Sequence, residues 1–290
     1  MTVSGFTFIR NGITFGYQFL EAIQSILPIC DEFVIAVGNS DDHTREAILA
    51  LGSPKIKIID TVWDDSKRDG GHILADQTNI ALDHITGDWG FYIQGDEVIH
   101  EKYLPEIRAA MEANLHNKRI DGFLFNYRHF YGSYDYIATS RDWYRKEIRV
   151  IRNDKAIRSW RDAQGFRKDV NGKMVKLQVQ QLEAYVNHYG WARPPKVMQS
   201  KNNYFRRLWH PDSEIQETNV ESFDYSGIDV LEQFNDSHPA VMEAFIERVN
   251  WEFQPDLTIK RYSVKNRISN FVEALSGWRM GEYKNYEIVK

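Results

Sequence analysis

Apolar residues in the first 130 positions fall into short continuous runs, separated by longer stretches with helical periodicity. Val3–Ile9, Phe33–Val37, Ile56–Ile59 and Trp89–Ile93 are the continuous runs, and runs of this length read as strands buried on both faces. Between them, Phe15, Phe19, Leu20, Ile23, Ile26 and Leu27 recur at helical spacing. Ala47, Ile48 and Leu51 follow Thr44, a residue able to cap a helix. Ile73–Ile85 reads as a helix ended by Gly87, Leu104–Leu115 as another, and Gly122–Tyr127 as a further strand. This strand–helix–strand repetition predicts an α/β domain, a mainly parallel sheet flanked by helices. Ligands of such sheets bind at the carboxyl ends of the strands, so Arg10-Asn11, Asp41-Asp42 and Asp96-Glu97 are expected in one cleft.

The second half is less regular. Glu147–Ile151 and Leu177–Val186 read as extended, and Asn202–Trp209 and Ala240–Phe253 as short helices. In the tail, Ser263–Trp278, the residues Val264, Ile268, Phe271, Val272 and Leu275 form a helical stripe, expected to dock on the body. The organisation expected is therefore a ligand-binding half over 1–130, a second half of the same domain over 131–255, and a helical tail over 256–290.

Composition narrows the function. With 36 Lys and Arg against 41 Asp and Glu, the net charge is −5, which argues against a nucleic-acid binder, whose affinity needs basic surface. The one cysteine, Cys30, allows neither an intramolecular disulfide nor a cysteine zinc site. It follows Ile26, Leu27 and Ile29, which predicts a buried, inert thiol. The N-terminus lacks the basic head and apolar run of a signal peptide. No stretch has the length and apolarity of a membrane span. A cytoplasmic protein is expected, at the inner face of a membrane if the basic tail residues Lys265, Arg267 and Arg279 make a peripheral contact.

The strongest chemical signal is Trp89-Gly90-Phe91-Tyr92-Ile93-Gln94-Gly95-Asp96-Glu97, an apolar strand running into adjacent carboxylates. Burying two carboxylates without partners is costly. A divalent cation such as Mn²⁺ or Mg²⁺ would hold them ionised and bridge them to a substrate phosphate. The plainer alternative is that they begin a loop.

Four stretches taken in order resemble the family 2 glycosyltransferases of the GT-A fold. They are Gly5-Phe6-Thr7-Phe8-Ile9-Arg10-Asn11, then Leu20–Ile26 with Asp31–Val37 and Asp41-Asp42-His43-Thr44, then Asp76–Leu82 with Gly87-Asp88-Trp89, and finally Gln94-Gly95-Asp96-Glu97. The resemblance implies a GT-A-type, Rossmann-like sheet, a nucleoside-diphosphate sugar donor, and transfer to a hydroxyl of a glycan or lipid-linked acceptor. It implies a metal held by Asp96 with a late histidine, His188 in the aromatic segment Asn187-His188-Tyr189-Gly190-Trp191. Donor contacts are then expected from Arg10, Asn11, Asp41, Gln77, Asn79 and Gln94. Arg193 and Lys201 would neutralise the diphosphate. The family's catalytic base falls near Trp160-Arg161-Asp162-Ala163, so Asp162 is the candidate, with Glu147 and Asp142 as alternatives. An ion pair of Asp162 with Arg158 or Arg161 is the structural reading of the same residue. Tyr131 and Trp191, from clusters of aromatic residues, are candidates to contact the acceptor.

Two positions depart from the family pattern. Gln94 stands where the metal motif usually begins with Asp, and Gly38 where the second strand often ends in a carboxylate. Two rival readings remain at this level: a nucleotidyltransferase, which would release pyrophosphate, and a non-catalytic module binding a sugar nucleotide on the same fold.

Overall fold

The computed structural model describes residues 1–64, 69–209, 220–228, 230–260, 262, 264–276, 279 and 281–289. The first half alternates as expected: β1 (Val3–Ile9), α1 (Phe19–Ile26), β2 (Glu32–Gly38), α2 (Thr44–Leu49), β3 (Ile56–Thr61), α3 (His72–Asp83), β4 (Trp89–Tyr92), β5 (Glu97–Ile99) and α4 (Leu104–Ala113). A run of strands follows: β6 (Gly122–Tyr131), β7 (Tyr136–Ala138), β8 (Lys146–Arg152), β9 (Ile157–Trp160), β10 (Gly165–Val170) and β11 (Lys173–Trp191). The chain continues through α5 (Pro195–Trp209), β12 (Leu231–Gln233), α6 (Glu243–Ile246), α7 (Val264–Ser276) and β13 (Tyr286–Ile288).

One sheet carries the fold, in the order β3-β2-β1-β4-β8-β6-β11-β10-β9. Its β3-β2-β1-β4 side is parallel throughout. β8 then inserts antiparallel between β4 and β6, and β6 pairs in parallel with β11. This is the α/β arrangement, of GT-A type, that the resemblance implies. Phe33–Val37, Trp89 and Phe91 are buried on both faces of the sheet, each large side chain contributing about 1.5–3 kcal/mol of burial. Cys30 is buried too, its thiol pushed up to about 12 by loss of solvent.

Several local expectations change. Thr44 does not cap α2; its hydroxyl accepts from the backbone N–H of Gly12 at 2.8 Å, tying the loop after β1 to the loop after β2. The strand expected over Gly122–Tyr127 runs on to Tyr131 as β6. The expected helix over Ala240–Phe253 starts there as a 3-10 turn, Ala240–Met242, but its α-helical part ends at Ile246, whereas that over Asn202–Trp209 begins earlier, at Pro195. Leu177–Val186 is the middle of a 19-residue strand that runs through His188. The tail is not wholly helical, since β13 pairs in parallel with β11.

α7 docks, but the other way round. Its inward face is polar: Ser269 is buried, Asn270 accepts from Arg141 at 3.3 Å, and Glu273 pairs with Arg141 and with Arg145 at 3.1 Å. Ile268, Phe271 and Leu275 point to solvent, at 57%, 66% and 74% exposed. Ser263, Gly277 and Trp278 at its ends lie outside the described residues.

Candidate active site

At the carboxyl ends of β1 and β4 opens a cavity of about 440 Å³. Arg10, Gln94, Asp96, Asp162, His188 and Lys201 all line it, together with Trp191. These residues come from separate segments of the sequence, and strand pairing gathers them. β5 pairs antiparallel with β11 so that Glu97 stands opposite His188, while β6 and β11 pair in parallel with His129 opposite His188. The backbone N–H of Tyr189 donates to the Asp96 carbonyl at 2.7 Å and fixes the two strand ends together.

The adjacent carboxylates part company. Glu97 turns into the protein, fully buried, and accepts a two-pronged pair from Arg149, Nε to Oε2 at 2.8 Å and Nη2 to Oε1 at 2.7 Å. The Tyr127 hydroxyl donates to Oε1 at 2.7 Å, and the Gln94 N–H to Oε2 at 3.1 Å. No cation is needed there, because the guanidinium is the partner.

Asp96 faces the cavity. Burial alone would raise its pKa, but the Lys201 and Arg193 cations overcome this and hold the carboxyl well below the usual range. Its Oδ2 accepts from Lys201 Nζ at 3.1 Å and from Arg193 at 3.4 Å. Lys201 also donates to the Gly190 carbonyl at 2.9 Å. Burial, with repulsion from Arg193, brings the Lys201 amine down to about 8, against the pull of Asp96.

The other oxygen, Oδ1, lies 3.8 Å from His188 Nε2. Hydrogen bonding decides what that nitrogen carries. His129 Nε2 lies 2.6 Å from the Tyr144 carbonyl, which only accepts, so His129 Nε2 bears the proton. Burial lowers the pKa of His129 to about 3 and that of His188 to about 4, so both rings are neutral near pH 7. The second nitrogen of His129 is then an acceptor, and His188 Nδ1–H donates to it at 3.0 Å. His188 Nε2 is left with a bare lone pair facing a carboxylate oxygen. Two acceptors facing each other across such a gap suit a divalent cation. The space is kept open by Gly190, where a Cβ would sit 2.6 Å from His188 Nε2 and 2.8 Å from Asp96 Oδ2. Asp96 and His188 therefore fit a metal completed by substrate oxygens. Among the described residues no group of three or more His, Cys, Asp or Glu is gathered for one.

Asp162 sits at the turn between β9 and β10, half-buried, with Arg161 at φ 57° and Ala163 at φ 61° on either side. Two non-glycine residues in the left-handed region cost about 1–3 kcal/mol each, a strain common at functional turns. Neighbours hold the turn in place. The Gln94 amide donates to the Ala163 carbonyl at 3.2 Å, and Arg149 to the Gln164 carbonyl at 3.0 Å. This gives the departure at 94 a reason, since a carboxylate could not donate to Ala163. Asp162 and Gln164 also line a smaller pocket of about 240 Å³, together with His72, Trp160, Tyr283 and Asn285. Asn285 is 4% exposed, and its Oδ1 has no hydrogen-bond partner among the described residues.

The other expected residues have different employment. Asn11 and Asp41 brace each other, the Asp41 N–H donating to Asn11 Oδ1 at 2.8 Å. Gln77 accepts from Thr61 at 2.6 Å, and Asn79 accepts from the Ser159 N–H at 2.9 Å, joining α3 to β9. None of these four lines the cavity. Arg193 is 1% exposed and binds the carbonyls of Phe15 and Gly190 as well as Asp96, so it positions rather than clamps. Tyr131 is buried among Trp143, Trp191 and Tyr225. Of the alternative bases, Asp142 is exposed and outside the cavity. Glu147 is buried, its pKa raised by burial to about 8.

The sequence reading missed His129 and Trp63. His129 is signalled only by its register with His188. Trp63 lies under Arg10, the guanidinium 5.4 Å from the ring centroid, and both face the cavity. The missing carboxylate at Gly38 follows from this ring: a Cβ there would stand 2.5 Å from the indole nitrogen of Trp63.

No protein-family model matches the chain, and no curated protein matches it. Solved structures do. Glucosyl-3-phosphoglycerate synthase from Mycobacterium tuberculosis, in complex with Mn²⁺, UDP and phosphoglyceric acid, matches at 20% identity over 45% of this chain and 43% of that one, TM-score 0.29. S. aureus TarS in complex with UDP matches at 13% identity over 72% of this chain and 65% of that one, TM-score 0.41. The chain thus spans less than two thirds of either protein.

Proposed function

We propose that this protein is a metal-assisted glycosyltransferase, moving a sugar from a nucleoside diphosphate to an acceptor hydroxyl. The observation that carries the reading is the bare His188 Nε2 set 3.8 Å from the ionised Asp96 oxygen at a cavity wall that also holds Lys201. Residues 1–130 and 131–255 both line the donor cavity, and the acceptor pocket adds Tyr283 and Asn285 from the tail. The nucleoside end lies against Arg10 and Trp63, and the diphosphate lies against Lys201.

Asp96 and His188 would hold Mn²⁺ or Mg²⁺, which when bound withdraws charge from the leaving diphosphate. Lys201 adds a fixed positive charge at the same place, where negative charge grows as the glycosidic bond breaks. The acceptor enters through the smaller pocket and meets the donor at Asp162, which faces both spaces. Asp162 removes the hydroxyl proton as the acceptor oxygen attacks the anomeric carbon, and the diphosphate leaves with the bonding electrons. Attack from the side opposite the diphosphate inverts that carbon. Aromatic rings at Trp160 and Tyr283, beside the amide of Asn285, suit a saccharide acceptor, as in synthesis of a surface polysaccharide.

The test is thermal stability with UDP, GDP, CDP and ADP, each with Mn²⁺ and with chelator, on wild type and Asp96→Asn. A ligand at 100 times its Kd stabilises the folded state by about 2.7 kcal/mol, which for a chain of this length is about 5 °C in Tm. One nucleotide should produce that shift with metal, and Asp96→Asn should lose it. If no nucleoside diphosphate shifts wild type, or Asp96→Asn responds like wild type, the proposal fails.

A further inference from the structure

We propose that α7 is a docking surface for an anionic lipid bilayer. This rests on the surface of the tail alone and holds whether or not the cavity binds a sugar nucleotide.

An amphipathic helix normally packs its apolar stripe inward. α7 does the reverse. Asn266, Ser269, Asn270 and Glu273 share the face turned to the protein, where Arg141 and Arg145 take up Glu273. Ile268, Phe271 and Leu275, spaced three and four residues apart, form the opposite face and stand more than half exposed. A helix held by an ion pair and presenting a Phe and two aliphatic side chains to water has an unmet need for an apolar medium.

Charge selects the occupant. The helix has one acid, Glu273, and it is turned inward onto two arginines. The outward face carries Arg267, one turn before Phe271. From 257 to 290 the chain has seven basic side chains against three acidic, whereas the whole protein carries −5. Lys260 and Lys284 in this segment are exposed. An apolar stripe with Arg267 at its edge, in a segment of net positive charge on a negatively charged protein, fits a surface whose own charge is negative and whose interior is apolar. A second copy fits less well. Three side chains offer on the order of 400 Å², about half the ~800 Å² per partner that a stable dimer buries. Two-fold pairing of the stripe would also bring the cationic edges together.

The test is flotation of the full chain with vesicles of phosphatidylcholine alone and of phosphatidylcholine with phosphatidylglycerol at about 7:3. Wild type should float with the anionic vesicles and remain behind with the neutral ones, and about 0.5 M NaCl should release it. Phe271→Ser combined with Leu275→Ser should weaken partitioning at least about tenfold, with Tm unchanged because the replaced side chains are exposed. Arg267→Glu should weaken it on anionic vesicles as well. Failure of wild type to bind anionic vesicles, or equal binding by the double variant, overturns the proposal. A wild-type dimer that the double variant loses, seen by light scattering, would also overturn it and assign the face to a second copy.

Discussion

Glu97→Gln separates a structural carboxylate from a metal ligand, and its cost can be worked out atom by atom. Glu97 and Arg149 are 0% and 1% exposed, and four donors converge on the carboxylate. Oε1 accepts from Arg149 and Tyr127, and Oε2 from Arg149 and the Gln94 N–H. An amide replaces one oxygen by a second donor. Placed at Oε2, it confronts two N–H groups, neither of which can reverse. Placed at Oε1, it confronts the guanidinium and a hydroxyl, and only the hydroxyl can turn to accept. The amide therefore settles at Oε1, with one N–H of Arg149 facing another donor and a buried guanidinium left without its counter-charge. Breaking a buried pair in this way costs about 3–5 kcal/mol. At about 2 °C per kcal/mol for a chain of this size, Tm should fall by about 6–10 °C. The assay is thermal unfolding followed by circular dichroism, with the nucleoside diphosphate and Mn²⁺ titration repeated on the variant. Metal-dependent affinity should stay within about twofold of wild type, because Asp96 and His188 are untouched. A Tm within about 2 °C of wild type would refute the stability argument. An unchanged Tm with metal dependence lost would show that Glu97 ligates the metal after all.

Two further outcomes follow from the same geometry. Gly190→Ala places a methyl group 2.6 Å from His188 Nε2 and 2.8 Å from Asp96 Oδ2, so calorimetry should show metal-dependent nucleotide binding weakened at least about tenfold, which is about 1.4 kcal/mol. Glu147→Gln should change how stability varies with pH. Burial raises the Glu147 pKa from 4.5 to about 8, with Glu97 and Asp162 adding to the rise and Arg149 opposing it. The folded protein therefore keeps this proton over a range where the unfolded chain loses it, and the contribution of Glu147 to stability falls as pH rises from 4.5 towards 8. The variant should match wild type near pH 5 and exceed it by on the order of 2–3 kcal/mol near pH 8, measured by urea unfolding. Parallel stability curves for the two proteins would contradict this.

The order of elements in the first half was legible because each strand there is buried on both faces, so apolar runs mark strands directly. Of the six residues that the strand-end rule expected in one cleft, Arg10 and Asp96 line the cavity, whereas Asn11, Asp41, Asp42 and Glu97 are taken up by the neighbouring loops and by Arg149. β11 was not legible as one strand. Its pairing with β6 shifts register between Gln181 and Tyr185 and again between His188 and Trp191, and each shift resets the alternation on which a strand is recognised. The extended reading consequently stops at Val186, short of His188, although the place of His188 in the site depends on its standing in register with His129. The tail failed for another reason. Periodicity shows that a helix has an apolar face but not which way the face looks, and the direction of α7 is set by Arg141 and Arg145, more than 120 residues earlier.

The deepest limit is the fate of adjacent carboxylates. Asp96 and Glu97 have nearly the same chemistry and nearly the same place in the chain, yet one is committed to the fold and the other to the cavity. The difference lies in their counter-charges. Glu97 meets a guanidinium whose donors match its two oxygens and leave no room for a ligand. Asp96 meets an amine and a guanidinium on one oxygen only, and an unprotonated imidazole on the other. That asymmetry leaves an acceptor pair open towards the cavity. It also joins the open site to the hidden one, because Gln94 bonds through its N–H to Glu97 and through its amide to the Asp162 turn, while Arg149 bonds to Glu97 and to the same turn. The buried pair thus braces the turn carrying Asp162 without touching substrate. On this reasoning, Glu97→Gln should slow transfer through a misplaced Asp162 while sparing donor binding.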